Sequence, residues 1–159
     1  MNLPRQISEQ IKGFHYGPNA TGVNLKMALE GVDWKMATTR VDSLNTIAEL
    51  VFHINYYVEA VLGVLKGKPL TAHDKYSFDL PPIKSQADWE QLLNKVWKEA
   101  DEMIEIVAGL DDSKLAEVFV KEKYGNYYRN LTGICEHSNY HIGQISMLKK
   151  IIREASEQA

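Results

Sequence analysis

Between residues 43 and 66, Leu44, Ile47, Val51, Ile54, Val58, Val61 and Leu65 recur at alternating spacings of three and four. That is the seam of an α-helix packed at a shallow angle, not the two-residue alternation of a strand. A second line, Leu50, His53, Tyr57 and Val64, runs beside it. A helix apolar over about half its circumference needs neighbours on two sides. The chain must supply further one-sided helices, with Asp42 or Ser43 as the expected cap of this one.

It does so three more times. Residues 86–108 carry Trp89, Leu92, Leu93, Val96, Trp97, Ala100, Met103, Ile104 and Val107 on one face, after a Ser85/Asp88 pair that resembles a capping box. Residues 3–15 present Leu3, Ile7, Ile11 and Phe14, and Gly17-Pro18-Asn19 stops them. Leu25, Ala28, Leu29 and Val32 continue from residues 22–31, so the two pieces together predict one bundle helix broken by a turn. Residues 32–42 connect, with Trp34 or Met36 able to fold back on the core. The polar stretch 67–84, closing on Pro81-Pro82, is a long loop of the kind that is either mobile or a lid. Val118-Phe119-Val120 is the one candidate for local extension. The expectation is an all-α four-helix bundle with its first helix broken, one domain over residues 1–159.

The last helical stretch, Asn130 to Ile152, aligns Ile134, His137, His141, Ile145, Leu148 and Ile152 in one stripe. Four residues advance a helix by about 6 Å, so both imidazoles leave one side a turn apart. A core that only needed filling would use leucine there, because buried imidazole nitrogens need partners. His53 lies on the interior arc of another helix. Three imidazoles and an open position are the usual layout of a catalytic zinc site. The alternative is three buried histidines bonded to tyrosines and to each other. An all-nitrogen donor set suits zinc, nickel or another late first-row ion better than magnesium or calcium.

Other templates fit worse. The zinc-protease signature needs Glu after its first His, and Ser138 follows His137. Di-iron bundles need Glu-x-x-His, and none of these histidines has Glu three residues before it. His15 and His73 are expected as solvated surface side chains. Cys135 points away from the stripe and is expected as a small apolar filler. Gln144 is positioned either to orient a ligand or bound water, or as an ordinary boundary residue. The Tyr57 hydroxyl either donates toward the open coordination position or reaches solvent.

A net charge of −3 without a long basic run argues against nucleic acid or an anionic membrane as partner. The single cysteine allows no intrachain disulfide and suits a reducing compartment. The N-terminus does not resemble a signal peptide, and no segment is expected to span a bilayer, so the expected location is cytoplasmic.

IAELVFHINYY around His53 and EHSNYHIGQI around His137 and His141 resemble the DinB/YfiT-like superfamily. The GPN turn and the amphipathic piece after it are similar to the branch with a broken first helix. The resemblance implies an up-down-down-up four-helix bundle, often a homodimer, with one divalent metal held by three histidines. His53, His137 and His141 match those positions. It implies neither polymerase activity nor DNA binding. Relatives include thiol S-transferases that use bacillithiol, glutathione or mycothiol, and a thiol-dependent isomerase. A thiol S-transferase acting on electrophilic small molecules, with a low-molecular-weight thiol as co-substrate, is the function it suggests. A metal-dependent hydrolase and a non-catalytic metal- or ligand-binding bundle are the alternatives. Phe52 and Tyr56, a turn apart opposite the heptad seam, form either a dimer patch or a surface covered by the broken first helix or the 67–84 loop.

Overall fold

The computed structural model of the chain describes residues 2–158. Six α-helices run in order: α1 (Leu3–His15), α2 (Leu25–Ala28), α3 (Trp34–Thr38), α4 (Ile47–Leu65), α5 (Gln86–Ala108) and α6 (Tyr127–Glu157). Among the described residues there is no strand, only one antiparallel bridge between Val118 and Asn126. Val120 adopts a left-handed φ of 68° immediately after, a conformation that a β-branched residue holds at a cost and that ends any extension. Phe119 between them is buried.

The four long helices pack in a ring: α1 touches α5 and α6, and α4 touches the same two. Their apolar stripes meet inside it, where Ile11, Ile54, Val58, Val96, Met103, Leu131 and Ile145 are all buried. By length and composition alone, Ile47–Leu65 is apolar enough to cross a membrane, but most of that window is buried inside the bundle and no membrane span is evident. Its composition is accounted for by burial against α5 and α6.

The start of α4 also differs from the sequence reading. Asp42 takes a left-handed φ of 47°, so the chain is still turning there, and Leu44 lies outside the helix, 49% exposed. Thr46 is the cap: its hydroxyl accepts from the Glu49 amide at 3.2 Å, and Glu49 accepts from the Thr46 amide at 2.7 Å. At α5, the Ser85 hydroxyl accepts from the Asp88 amide, but the Asp88 carboxylate accepts from Lys84, one residue before the cap. The broken first helix resumes for only one turn, capped by Asn24 and packed against α6. The break is tight: a Cβ on Gly13 would meet the Pro18 carbonyl oxygen at 3.0 Å.

His15 is not a surface residue. It is fully buried and its Nδ1 donates to the Ile11 carbonyl at 2.9 Å. Its position four residues after Ile11 continues the Leu3–Ile7–Ile11 line. Burial pushes its pKa down to about 4 from 6.5, against smaller upward pulls from the Ile11 bond and Asp101. The native state therefore resists a proton that the unfolded chain accepts. Stability is fully present above pH 6.5 and is lost as pH falls toward 4, by about 3 kcal/mol at 1.36 kcal/mol per unit. As pH falls from 7 to 4 the urea midpoint of the wild type is expected to drop relative to that of His15→Leu, because the variant lacks this loss. Parallel curves from pH 7 to 4 would contradict the assignment.

Candidate metal centre

Helix α4 supplies His53 and α6 supplies His137 and His141. The Nε2 atoms of His53 and His141 each lie 3.1 Å from Nε2 of His137, and all three ligand atoms fall within 4.8 Å of one another. Zinc–nitrogen bonds of about 2.0–2.1 Å at tetrahedral angles separate ligand nitrogens by about 3.3 Å. The spacing fits an ion held by all three.

The partners of the opposite nitrogens sharpen this. His53 Nδ1 is 3.2 Å from the Ser77 carbonyl, which can only accept, so Nδ1 carries the proton. His141 Nδ1 is 2.6 Å from Gln144 Oε1, another acceptor. Both Nε2 atoms then present lone pairs to His137 Nε2, which has at most one proton to give. At least one nitrogen–nitrogen contact is left with lone pair facing lone pair. Protonation is a poor escape: burial and the His141 and His53 charges push His137 down to about 4, and burial lowers His53 too. A cation at the centre satisfies all three Nε2 atoms, whereas the alternative of mutually bonded histidines leaves one contact unsatisfied.

The 67–84 loop closes over the His53 side. Phe78 stacks on the imidazole with ring centroids 3.9 Å apart and planes 9° from parallel. The Ser77 hydroxyl donates to the Asp74 carbonyl, and Asp74 accepts from the Tyr57 hydroxyl at 2.9 Å. Tyr57 therefore gives its proton to Asp74, with its ring edge-on to His53 and His137. Burial and that bond raise its pKa, so it stays a phenol. Tyr56 is engaged by the same loop, donating to the His73 carbonyl and accepting from the His73 amide. His73 itself is exposed, as the sequence suggests. Cys135 is buried, with its thiol pushed up to about 12 by burial and Glu136, and lies outside the cluster.

Ser77 and Phe78 escaped sequence reasoning. A backbone carbonyl carries no residue-type signature, and a loop has no periodicity to assign Phe78 to a face. The loop's length was the only signal. Gln144 contributes through His141 alone, so Gln144→Ala is expected to weaken metal binding about 10- to 100-fold with the fold intact. Gln144→Glu, which keeps an acceptor, is expected to restore most of it. Competition against a chromophoric chelator measures both, and an unchanged affinity in Gln144→Ala would remove the residue from the site.

Three imidazoles gathered around one point from two helices of the ring define a class, the helical proteins with a three-histidine site able to hold a metal ion. The chain belongs to the DinB superfamily, whose family model matches residues 23–145 and so spans all three histidines. No curated protein and no solved structure matches it.

Proposed function

We propose that His53, His137 and His141 hold one divalent transition metal ion, zinc or nickel, and that the protein is a metal-dependent thiol S-transferase acting on electrophilic small molecules. The observation that carries the metal is the lone-pair conflict at His137 Nε2, which only a cation relieves at all three nitrogens together. Bound there, such an ion lowers the pKa of a thiol or water brought to it, so that a nucleophile forms near neutral pH.

The chain's own groups orient and exclude. Ser77 and Gln144 hold two imidazoles in the tautomer that frees Nε2. Phe78 keeps water from the His53 flank. The only cysteine is buried and kept as a thiol, so a reacting thiol comes from a small molecule. One feature favours a hydrolase instead: Glu136, exposed and lining the same cleft as His137, is available as a base toward water. Loss of a chlorodinitrobenzene probe that requires both metal and an added thiol supports the transferase. Ester cleavage with water alone supports the hydrolase. Ligand exchange at the metal without turnover of any probe supports a binding module.

We further propose the up-down-down-up helix order. Leu3 with Asp112 and Tyr16 with Asp101 support antiparallel α1 and α5. Glu59 with Lys95 and Lys66 with Glu102 support parallel α4 and α5. His53 with His137 and Leu50 near Leu148 support antiparallel α4 and α6. A homodimer in a reducing cytoplasm completes the proposal. With Tyr56 held by its own loop, the exposed Leu44, Tyr140, Met147 and Ile151 are better supported as its contact than Phe52 and Tyr56.

A further inference from the structure

A cleft of about 560 Å³ opens beside the cluster, its walls including Tyr57, Val61, Arg129, Gly133, Glu136 and His137. The other flanks are occupied: Phe78 and Ser77 lie on His53, while Gln144 and the Tyr140 ring back His141. His53 and His141 are buried and His137 is half-exposed, so the cluster meets solvent on the cleft side.

Gly133 is an unexpected residue at that place. Glycine in a helix interior costs about 1 kcal/mol relative to alanine, and α6 carries it in mid-course. No packing neighbour requires it, because a Cβ there would meet no atom within 4 Å. Its effect is to leave the cleft floor bare one turn before His137. Arg129 lies one turn further back, its stem folded over Gly125, where a Cβ would come within 2.7 Å of Arg129 Cδ. Among the described residues no carboxylate lies within 4.0 Å of its guanidinium. Glu136 is likewise without an ion-pair partner and adjoins His137. One wall thus offers an unneutralised cation at its far end and an anion near the cluster, with Val61 and Ile134 supplying apolar surface to the same cleft.

We propose that this cleft is the substrate channel of the metal centre. It takes an elongated small molecule with a metal-binding head at His137 and an anionic tail, carboxylate or phosphate, against Arg129. Glu136 repels negative charge from the head end, which fixes the polarity of the ligand. About 12 Å of helix separates Arg129 from His137, which sets the ligand's length. The inference rests on the metal-site proposal above, and its test separates the two.

Suberic acid monohydroxamate, a metal-binding head on an apolar chain with a terminal carboxylate, is titrated calorimetrically into zinc-loaded protein beside its neutral terminal amide. Gly133→Leu is expected to weaken both probes at least about tenfold, since a side chain now fills the channel, while zinc affinity is unchanged. Arg129→Gln is expected to weaken the acid about fivefold, as for an exposed ion pair, and to leave the amide within about twofold. Equal acid affinity in Gly133→Leu and wild type overturns the channel. Equal loss of acid and amide in Arg129→Gln overturns the anionic tail. Wild-type protein that takes up no zinc overturns the metal-site proposal beneath both. Should Gly133→Leu fail to fold, the Arg129 pair decides alone.

Discussion

Alanine at His137 is expected to abolish the stabilisation that metal confers while leaving the metal-free protein almost as stable as before. His137 Nε2 is the nitrogen that both other imidazoles face at 3.1 Å, so its loss removes one ligand and the meeting point of the other two. Removing even an outer partner of a ligand costs about 10- to 100-fold in affinity, and removing the ligand itself costs more. An ion at a thousandfold excess over its Kd stabilises the native state by about 4 kcal/mol. Zinc should therefore raise the melting temperature of the wild type strongly and that of His137→Ala hardly at all. Without metal the same change removes a lone-pair conflict from a half-exposed position, so the two apo proteins should melt close together. Both apo proteins should keep their helical spectrum, because the stripes of α4 and α5 do not depend on the ion. A metal-free wild type that is unfolded at room temperature would make the ion structural and contradict this account.

The second large effect lies far from the site. Trp89 is fully buried in the first turn of α5, and its Nε1 donates to the Val32 carbonyl at 3.0 Å. That bond ties the segment around α2 and α3 to the bundle. Trp89→Ala is expected to cost about 3–5 kcal/mol for the lost ring and cavity, and about 1–3 kcal/mol more for the stranded carbonyl. Against a native stability of about 5–15 kcal/mol this is a large fraction. Trp89→Phe, which keeps most of the apolar surface, should lose mainly the hydrogen bond. Denaturant midpoints order the three proteins, and a Phe variant as weak as the Ala variant would show that the bond matters more than the ring.

The helices were legible because each buries one stripe, and the stripe is written in side chains. Trp89, Val96, Ala100, Met103 and Val107 recur with the helical period, and α5 spans the residues they predict. The three histidines were legible for the same reason: each interrupts an apolar line where only a polar demand explains it. The α4 boundary was not, because Asp42, Ser43 and Thr46 are all good caps by type. Only Glu49, three residues after Thr46, marks the true one. His15 was visible as the next step of the Ile7–Ile11 line, but the turn beginning at Gly17 made it look like a boundary. The 67–84 loop was least legible. It serves the site through the Ser77 backbone and the Phe78 ring, and neither follows from any repeat in the sequence.

The central claim is that His53, His137 and His141 together hold a single ion. Titrating metal-free protein with cobalt(II) and following its visible absorption tests it directly. The account predicts a saturable spectrum of low-coordinate cobalt that is complete at one equivalent per chain. It should be displaced by zinc and absent from the variant with alanine at all three histidines. A wild type without a saturable band, or a triple variant with the same band, would contradict it.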